Sequence, residues 1–255
     1  MHHLPVGRAR TADRLADTYR QLYAICPVLT FTQVDGAPAD GRPWIPADRL
    51  ASSVEQLVAG ESARIRSRHG ITPRPHVAAS RLLHHYLWTS SLLIGGVWYL
   101  ERQVPVLPAR DLWIAADTGE FALRPGEWRP GDEAVLREAV AAHVGPVLAA
   151  FQPYVRRGPR ALWGMATDDL LSGLWYLGRT LGEEDRAVAV ATALVPADAA
   201  PWTGPAGFRR AHGEWTRTRD GCCLYYAVDP ANPCGTCPRR RGVGREVDTL
   251  GACGG

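Results

Sequence analysis

The chain has 255 residues, of which 46% are hydrophobic and 22% charged, and its formal net charge is +3. This length and composition allow one compact domain of about 200 residues with a small additional module. All 29 basic residues are arginine, and the lack of lysine excludes P-loop nucleotide chemistry, pyridoxal-phosphate Schiff bases and kinase-type phosphoryl transfer. The mild positive charge does not by itself indicate nucleic-acid binding.

Motifs for dinucleotide binding, zinc proteolysis and serine hydrolysis are also absent from the sequence. The longest apolar stretch, residues 88–100, contains Thr89, Ser90, Ser91 and two glycines and is shorter than the ~20 residues that span a bilayer. The N-terminal residues do not resemble a secretory signal. We therefore expect a cytoplasmic protein with no transmembrane segment.

Helical spacing of apolar residues dominates the first hundred residues. Thr11 is expected to cap a first helix that ends near Ile25, and Cys26 is then expected to be a buried core thiol. Residues 35–46 are rich in glycine, proline and aspartate and predict a loop. Further helices are predicted over 46–67, where Gly70 follows the end, and over 75–94, where Gly95 and Gly96 are expected to break the helix.

The spacing of the apolar residues changes from a helical to an alternating pattern after Asp111. Leu112 and Ile114 alternate with other residues, a turn follows at 117–119, and Phe121 and Leu123 alternate again, which predicts a β-hairpin. A single hairpin is rarely stable alone, so it should pack on the helices.

Helical spacing returns in the second half. Helices are predicted to start at Asp132 and to cover 159–182 and 183–195, and the Ala/Pro/Gly stretch 196–207 is expected to be a linker. The predicted fold is mainly α with a small β-hairpin (α+β). A helical N-terminal domain should occupy residues 1–205 and a small C-terminal module residues 206–255.

Several polar residues on the predicted helices are candidates for chemistry. His84 and His85 are helix neighbours that diverge, which favours partly buried, hydrogen-bonded histidines over a shared metal ion. Arg81 would meet an anionic ligand if it faced a cleft, but a solvated arginine is the simpler expectation. Asp168 and Asp169 also point apart, so a solvated helix face is favoured over paired catalytic carboxylates.

The strongest signal lies near the C-terminus, where four of the six cysteines fall within sixteen residues as Cys222-Cys223, ten residues, Cys234, two residues and Cys237. Four converging thiolates are what a [2Fe-2S] cluster needs, two for each iron. Side chains of adjacent residues on an extended strand point to opposite faces, so the backbone must turn at the pair, and Gly221 is expected to allow this with a positive φ. Turn formers between Asp229 and Pro233 can fold the chain back.

Three other interpretations remain open at this point. A structural zinc site with four cysteines is one, although a vicinal pair is a poor zinc knuckle. Disulfides require an oxidising compartment. Unligated buried cysteines rarely bunch in this way. Cys253, in the glycine-rich tail, is expected to take no part.

The motif, with Leu224-Tyr225-Tyr226 after the pair and Gly235 in the second half, resembles the C-terminal [2Fe-2S] motif of the FhuF-like ferric siderophore reductases. The stretch 162–166 resembles a core helix of the same family weakly. The sequence departs from the family where Arg219-Asp220-Gly221 precedes the pair, which leaves the four ligands in place. The resemblance implies a [2Fe-2S] cofactor on Cys222, Cys223, Cys234 and Cys237, and an enzyme that reduces siderophore-bound Fe(III). It also implies that the helical domain, residues 1–205, presents a cleft for the ferric complex and that the C-terminal module delivers the electron into it.

An external electron donor such as a ferredoxin or flavodoxin is then implied, because the sequence shows no flavin or nicotinamide site. The basic run Arg239, Arg240 and Arg241 beside the motif is a candidate docking site for that donor or for an anionic siderophore, against the simpler expectation of a solvated basic run. Two other functional classes remain: an iron- or redox-sensing iron-sulfur protein, and a zinc-stabilised interaction module.

Overall fold

A computed structural model describes residues 6–239 of the chain. The described part is a mainly helical α+β fold, which confirms the predicted class. The helices are α1 (Val6–Ile25), α2 (Val54–His69), α3 (Pro75–Ser91), α4 (Val97–Glu101), α5 (Glu133–Val155), α6 (Pro159–Thr180) and α7 (Glu184–Leu194). The strands are β1 (Phe31–Gln33), β2 (Trp44–Pro46), β3 (Gln103–Pro105), β4 (Leu112–Ala115), β5 (Phe121–Leu123), β6 (Trp128–Pro130), β7 (Phe208–Ala211) and β8 (Glu214–Arg217).

The central helix is α3, which packs against α2, α5 and α6. Fourteen of its seventeen residues are buried, because apolar neighbours surround it. The predicted break at Gly95 and Gly96 is wrong: a π-helical turn, Leu92–Gly96, carries the chain on into α4. These glycines serve close packing instead, since a Cβ on Gly96 would lie 2.9 Å from Cδ1 of Leu22.

Helix α5 begins as predicted. Its N-cap, Asp132, accepts hydrogen bonds from the amides of Ala134 and Val135, each at 3.0 Å. The apolar stripe from Leu136 to Phe151 is buried in the core. By length and composition alone α5 would also be able to cross a membrane.

The predicted hairpin is present as β4 and β5, where Ile114 pairs with Phe121. It belongs to a four-stranded sheet with the order β1-β5-β4-β2, in which β1 is parallel to β5. Strand β2 lies inside the stretch predicted as a loop, because three residues carry too little alternation to reveal a strand. Two further pairs, β3 with β6 and β7 with β8, complete the strands of the described residues.

Two predicted helix starts differ from the structure. Helix α1 begins at Val6, so Thr11 lies inside it and is not its cap. The stretch predicted as one helix over 46–67 is a 3-10 helix, Ala47–Ser52, followed by α2, which Gly70 ends with a φ of +70° as expected. Cys26 is fully buried at the end of α1, which confirms its predicted place in the core.

Residues 206–239, here called the C-terminal segment, follow α7 and the turn-rich stretch 196–205. The segment forms the β7–β8 hairpin, which the sequence pattern did not reveal, and then the cysteine motif. It lies against α6 and the N-terminal half of α3, so side chains of these two helices contact the C-terminal segment directly.

Candidate functional site

The four motif cysteines lie together on the C-terminal segment. Cys223, Cys234 and Cys237 form a buried cluster with 2%, 4% and 6% of their surfaces exposed, and Cys222 packs against it. The Sγ atoms of Cys223 and Cys234 are 3.8 Å apart. The described cysteines form no disulfide, and within residues 6–239 no three His, Cys, Asp or Glu side chains are arranged to hold one metal ion. The fold thus gathers thiol donors without setting them in a metal-binding geometry.

The backbone turns after the cysteine pair, at Leu224, which is in the left-handed region with a φ of 62° and leads into the 3-10 turn Tyr225–Ala227. The expectation of a positive φ at Gly221 is therefore wrong. Glycine is needed there for space, because a Cβ would lie 2.8 Å from Cγ and 3.0 Å from Cα of Met165 on α6. The motif is thus seated directly on α6.

The rest of the motif is closed by short-range hydrogen bonds. The amide of Asn232 donates to the carboxylate of Asp229 at 3.2 Å, which makes the predicted turn between the two cysteine pairs. The amide of Cys237 donates to the carbonyl of Cys234 at 2.9 Å, so the second pair sits on one tight turn.

Two buried aspartates of α6 anchor the C-terminal segment. Asp168 and Asp169 are 1% and 0% exposed, so the prediction of a solvated face is wrong. Asp168 Oδ1 lies 2.6 Å from Nη2 of Arg217, and Asp169 Oδ1 lies 3.2 Å from Nη2 of Arg219. The amide of Gly221 donates to Asp168 Oδ2 at 2.6 Å. Burial raises the pKa of Asp168, and the two guanidinium groups oppose that shift.

His84 extends this network to α3. Its Nδ1 lies 2.8 Å from Asp169 Oδ1, and its Nε2 is buried without a hydrogen-bond partner among the described residues. His85 points elsewhere, and its Nε2 donates to the carbonyl of Gly119 at 2.9 Å. Burial lowers the pKa of His85 to about 4, so its ring is neutral at pH 7. The predicted divergence of the two hydrogen-bonded histidines is confirmed.

The pKa values of the two adjacent thiols, Cys222 and Cys223, are both raised. A hydrogen bond with Cys234 and burial together raise the pKa of Cys223 to about 12, while the charges of His84 and Arg81 act in the opposite direction. Burial likewise raises the pKa of Cys222. Thiolate ligation at these positions therefore depends on binding a positively charged metal centre.

Arginines lie on both sides of the motif. Arg157 donates to the carbonyl of Cys222 and to the sulfur of Met165. The guanidinium carbon of Arg239 lies 5.0 Å from the centre of the Tyr226 ring, a cation–π distance. The other two arginines of the predicted docking run, Arg240 and Arg241, and also Cys253, lie outside the described residues.

A cavity of about 240 Å³ adjoins the motif. It lies between α2, α3 and the β4–β5 turn, and one of its walls is Tyr225, two residues after Cys223. The charged residues of its α2 wall are Glu61, Arg64 and Arg68. Arg81 of α3 also lines it and is 4% exposed, so the expectation of a solvated Arg81 is wrong and the alternative of a cleft-facing arginine holds.

Comparison of the chain with protein-family models, curated proteins and solved structures finds no match. The similarity to FhuF-like reductases therefore rests on the cysteine motif, its neighbouring residues and the weak likeness at 162–166.

Sequence reasoning missed the partners of the motif. Arg157 lies far in sequence from Arg217 and Arg219, none of the three was predicted to contact the motif or its aspartates, and the two aspartates were assigned to solvent. One signal was available: Arg217 and Arg219 stand two apart just before the cysteines, and Asp168 and Asp169 stand within a strongly apolar helix. Together they indicate buried pairing, since charges on such a helix are rarely buried without partners.

Proposed function

We propose that this protein is a [2Fe-2S] ferric siderophore reductase that releases iron by passing one electron to chelated Fe(III). The observation that carries the proposal is the collection of Cys222, Cys223, Cys234 and Cys237 into one largely buried cluster. The motif's resemblance to FhuF-like reductases supports it, as does the absence from the sequence of hydrolytic and nucleotide-binding motifs.

The donor set fits the cofactor in kind and number, because four thiols supply two ligands for each iron. When bound, such a cluster supplies single electrons at low potential. The chain's own residues bury three of the four cysteines and fix the backbone before and within the pair. Gly221 is tied to Asp168 and the Cys222 carbonyl to Arg157, so the motif is held on α6 from two sides.

The reaction needs no nucleophile and no general base. Hard oxygen donors hold Fe(III) tightly, and adding one electron gives Fe(II), whose lower charge weakens its attraction to anionic oxygens. The ligand then exchanges the metal. We propose that this takes place in the cytoplasm, with the electron coming from a separate donor such as a ferredoxin or flavodoxin.

The cofactor is tested on protein prepared and reconstituted without air. We expect acid-labile sulfide and iron at two per chain, with the visible absorption of a thiolate-ligated cluster. Cys234→Ser should lose most of both, whereas Cys26→Ser, which changes a cysteine outside the motif, should retain them. A colourless wild-type protein with one zinc would replace the proposal with a zinc-stabilised module.

The activity is tested by adding dithionite-reduced protein, without air, to a ferric hydroxamate siderophore and, separately, to a ferric catecholate siderophore, each in the presence of a ferrous chelator. We expect the chelator to colour as the protein is oxidised, faster than with Cys234→Ser. Oxidation no faster than in that variant would contradict the reductase. An intact cluster that does not pass electrons to ferric complexes, but is lost and rebuilt with iron supply, would identify a sensor.

A further inference from the structure

We propose that the 240 Å³ cavity beside the cysteine motif is the binding site for the ferric chelate, and that it selects chelates with a net negative charge. This inference rests on the proposed function, whose substrate class and site it specifies. It concerns binding only. The one electron that converts Fe(III) to Fe(II) is lost by the external ferredoxin- or flavodoxin-type donor, and the binding step breaks no bond.

The first argument is position. The cavity wall includes Tyr225 and Val228, which belong to the turn immediately after Cys222 and Cys223. Leu224 and Val228 pack with Ile65 of α2 into one apolar cluster, against which Cys222 and Tyr225 also lie. A ligand in the cavity would therefore contact the same turn that follows the first two cysteines.

The second argument is the arrangement of side chains on α2. Glu61, Arg64, Ile65, Arg68 and His69 follow the spacing i, i+3, i+4, i+7 and i+8, so they share one helix face, and all five line the cavity. The apolar member, Ile65, packs against the cysteine turn, and the polar members contribute the charged groups of this helix to the cavity wall.

The third argument is charge. The lining contains three arginines and two glutamates. Glu61 accepts from Arg64 at 2.7 Å, and Glu120 is paired with Arg42, which lies outside the lining. Arg68 makes no ion pair with a described residue, so its charge is available to a ligand.

Arg81 supplies a second, buried positive charge in the cavity. Its guanidinium carbon lies 4.9 Å from the centre of the Tyr225 ring. A guanidinium held over a ring at this distance keeps its N–H groups in a fixed plane, which suits oxygen donors. The site thus combines a fixed cation at its base with the more exposed Arg68 at its mouth.

The fourth argument is size. At roughly 30 Å³ per water molecule the cavity has the volume of about eight waters, and it is smaller than the 300–1,000 Å³ of typical ligand pockets. It therefore admits one oxygen-donor arm of a chelate, while the rest of the complex remains at the mouth, near Arg68.

These observations separate two classes of siderophore. Three dianionic catecholates leave a ferric complex with a net charge of minus three, whereas three monoanionic hydroxamates leave it neutral, or positive when an ammonium group is attached. Two arginines facing the ligand favour the first class by Coulomb attraction, and salt should weaken that preference.

The test uses the full chain and redox-inert gallium(III), which matches Fe(III) in charge and size. The probes are a hexadentate tris-catecholamide and desferrioxamine B, both loaded with gallium, and binding is measured by equilibrium dialysis. We expect the anionic complex to bind at least tenfold more tightly, and raising the salt concentration to reduce the difference.

Arg68→Gln should weaken binding of the anionic complex about threefold, since Arg68 is exposed, and Arg81→Gln about tenfold or more, since Arg81 is buried. Arg66→Gln is the matched control: Arg66 is exposed on the same helix but does not line the cavity. Because Arg68 is exposed, Arg68→Gln should fold normally. It therefore tests the proposal even if Arg81→Gln impairs folding.

Equal affinity for the two gallium complexes, or equal affinity of the Arg68→Gln and Arg66→Gln proteins for the anionic one, would overturn the proposal. Gallium is not reduced, so these results do not depend on the cofactor. Sulfide content and the visible spectrum of the same preparations report on the proposed function separately, and either can fail while the other stands.

Discussion

His143 of α5 shows how a single residue in this core is kept neutral. Its side chain is 7% exposed, with Nδ1 3.2 Å from the carbonyl of Leu107 and Nε2 3.0 Å from the hydroxyl of Tyr86. A neutral ring satisfies both contacts, donating from Nδ1 and accepting at Nε2. Burial lowers the pKa of His143 to about 4, although the carbonyl opposes the shift.

This burial predicts a pH-dependent stability. Between the unfolded pKa of 6.5 and the folded pKa of about 4, the unfolded chain binds more protons at His143, so stability falls as pH falls. Between pH 7 and pH 5 the loss from this residue should be about 2 kcal/mol. Denaturant unfolding of His143→Gln should show a correspondingly smaller loss over that range.

His212 is the control for this experiment, since it is exposed in the β7–β8 turn and its φ of 53° is one that asparagine tolerates. His212→Asn should keep the pH dependence of the wild type. If His143→Gln lost as much stability as the wild type between pH 7 and pH 5, the assigned protonation would be wrong.

Among the elements, α6 and the C-terminal segment are joined through buried charges as well as apolar contacts. Arg217 donates to Ser172 at 2.7 Å and to the carbonyl of Asp168 at 2.8 Å, in addition to its ion pair with the Asp168 carboxylate. A buried pair that loses one partner leaves a desolvated charge behind, so each member depends strongly on the other.

We therefore expect Asp168→Asn to lower the free energy of unfolding by about 3 kcal/mol. The control is Asp185→Asn, because Asp185 also pairs with an arginine, Arg210, but its side chain is 77% exposed. That change should cost less than about 1 kcal/mol. Denaturant titrations of both variants measure the difference, and similar losses for the two would show that the buried network does not hold the segment.

The buried ion pairs between α6 and the C-terminal segment also show what could not be predicted from the sequence. Helices α5 and α6 were predictable because their apolar spacing, a capping aspartate and an N-terminal proline are local signals. The cysteine motif was predictable because its spacing is local too. The burial of Asp168 was not, since its partner Arg217 lies 49 residues away. Sequence reasoning also missed the three-residue strands β1, β2, β3 and β6, because their pairing and not their own pattern defines them.

For the whole molecule, the distribution of arginine gives the motif a positive border. Arg157 and Arg239 flank it among the described residues, and Arg240 and Arg241 continue the run in sequence. Single-electron donors of the ferredoxin and flavodoxin type dock through acidic surfaces, so such a border would favour their approach.

Changing Arg239, Arg240 and Arg241 together to glutamate should slow reduction by an acidic donor by on the order of tenfold at low salt and reduce its salt dependence. Stopped-flow reduction at several ionic strengths measures both. The matched control changes Arg49, Arg66 and Arg74, which are exposed just before α2, on α2 and just before α3. If the rate and its salt dependence stay unchanged in the 239–241 variant, the donor does not dock at this border.

Tyr225 belongs to the cavity wall and to the turn that carries the cysteines. Any movement of the Tyr225 ring when a ligand binds in the cavity is also a movement beside Cys223, which couples the cavity to the cysteine motif. The coupling free energy between two such sites is reciprocal. If the cysteines hold the proposed [2Fe-2S] cluster, a chelate that makes the cluster easier to reduce must, by the same free energy, bind more tightly once the cluster is reduced. The ferric chelate would then bind most tightly to the reduced form of the protein, which is the form that can reduce it.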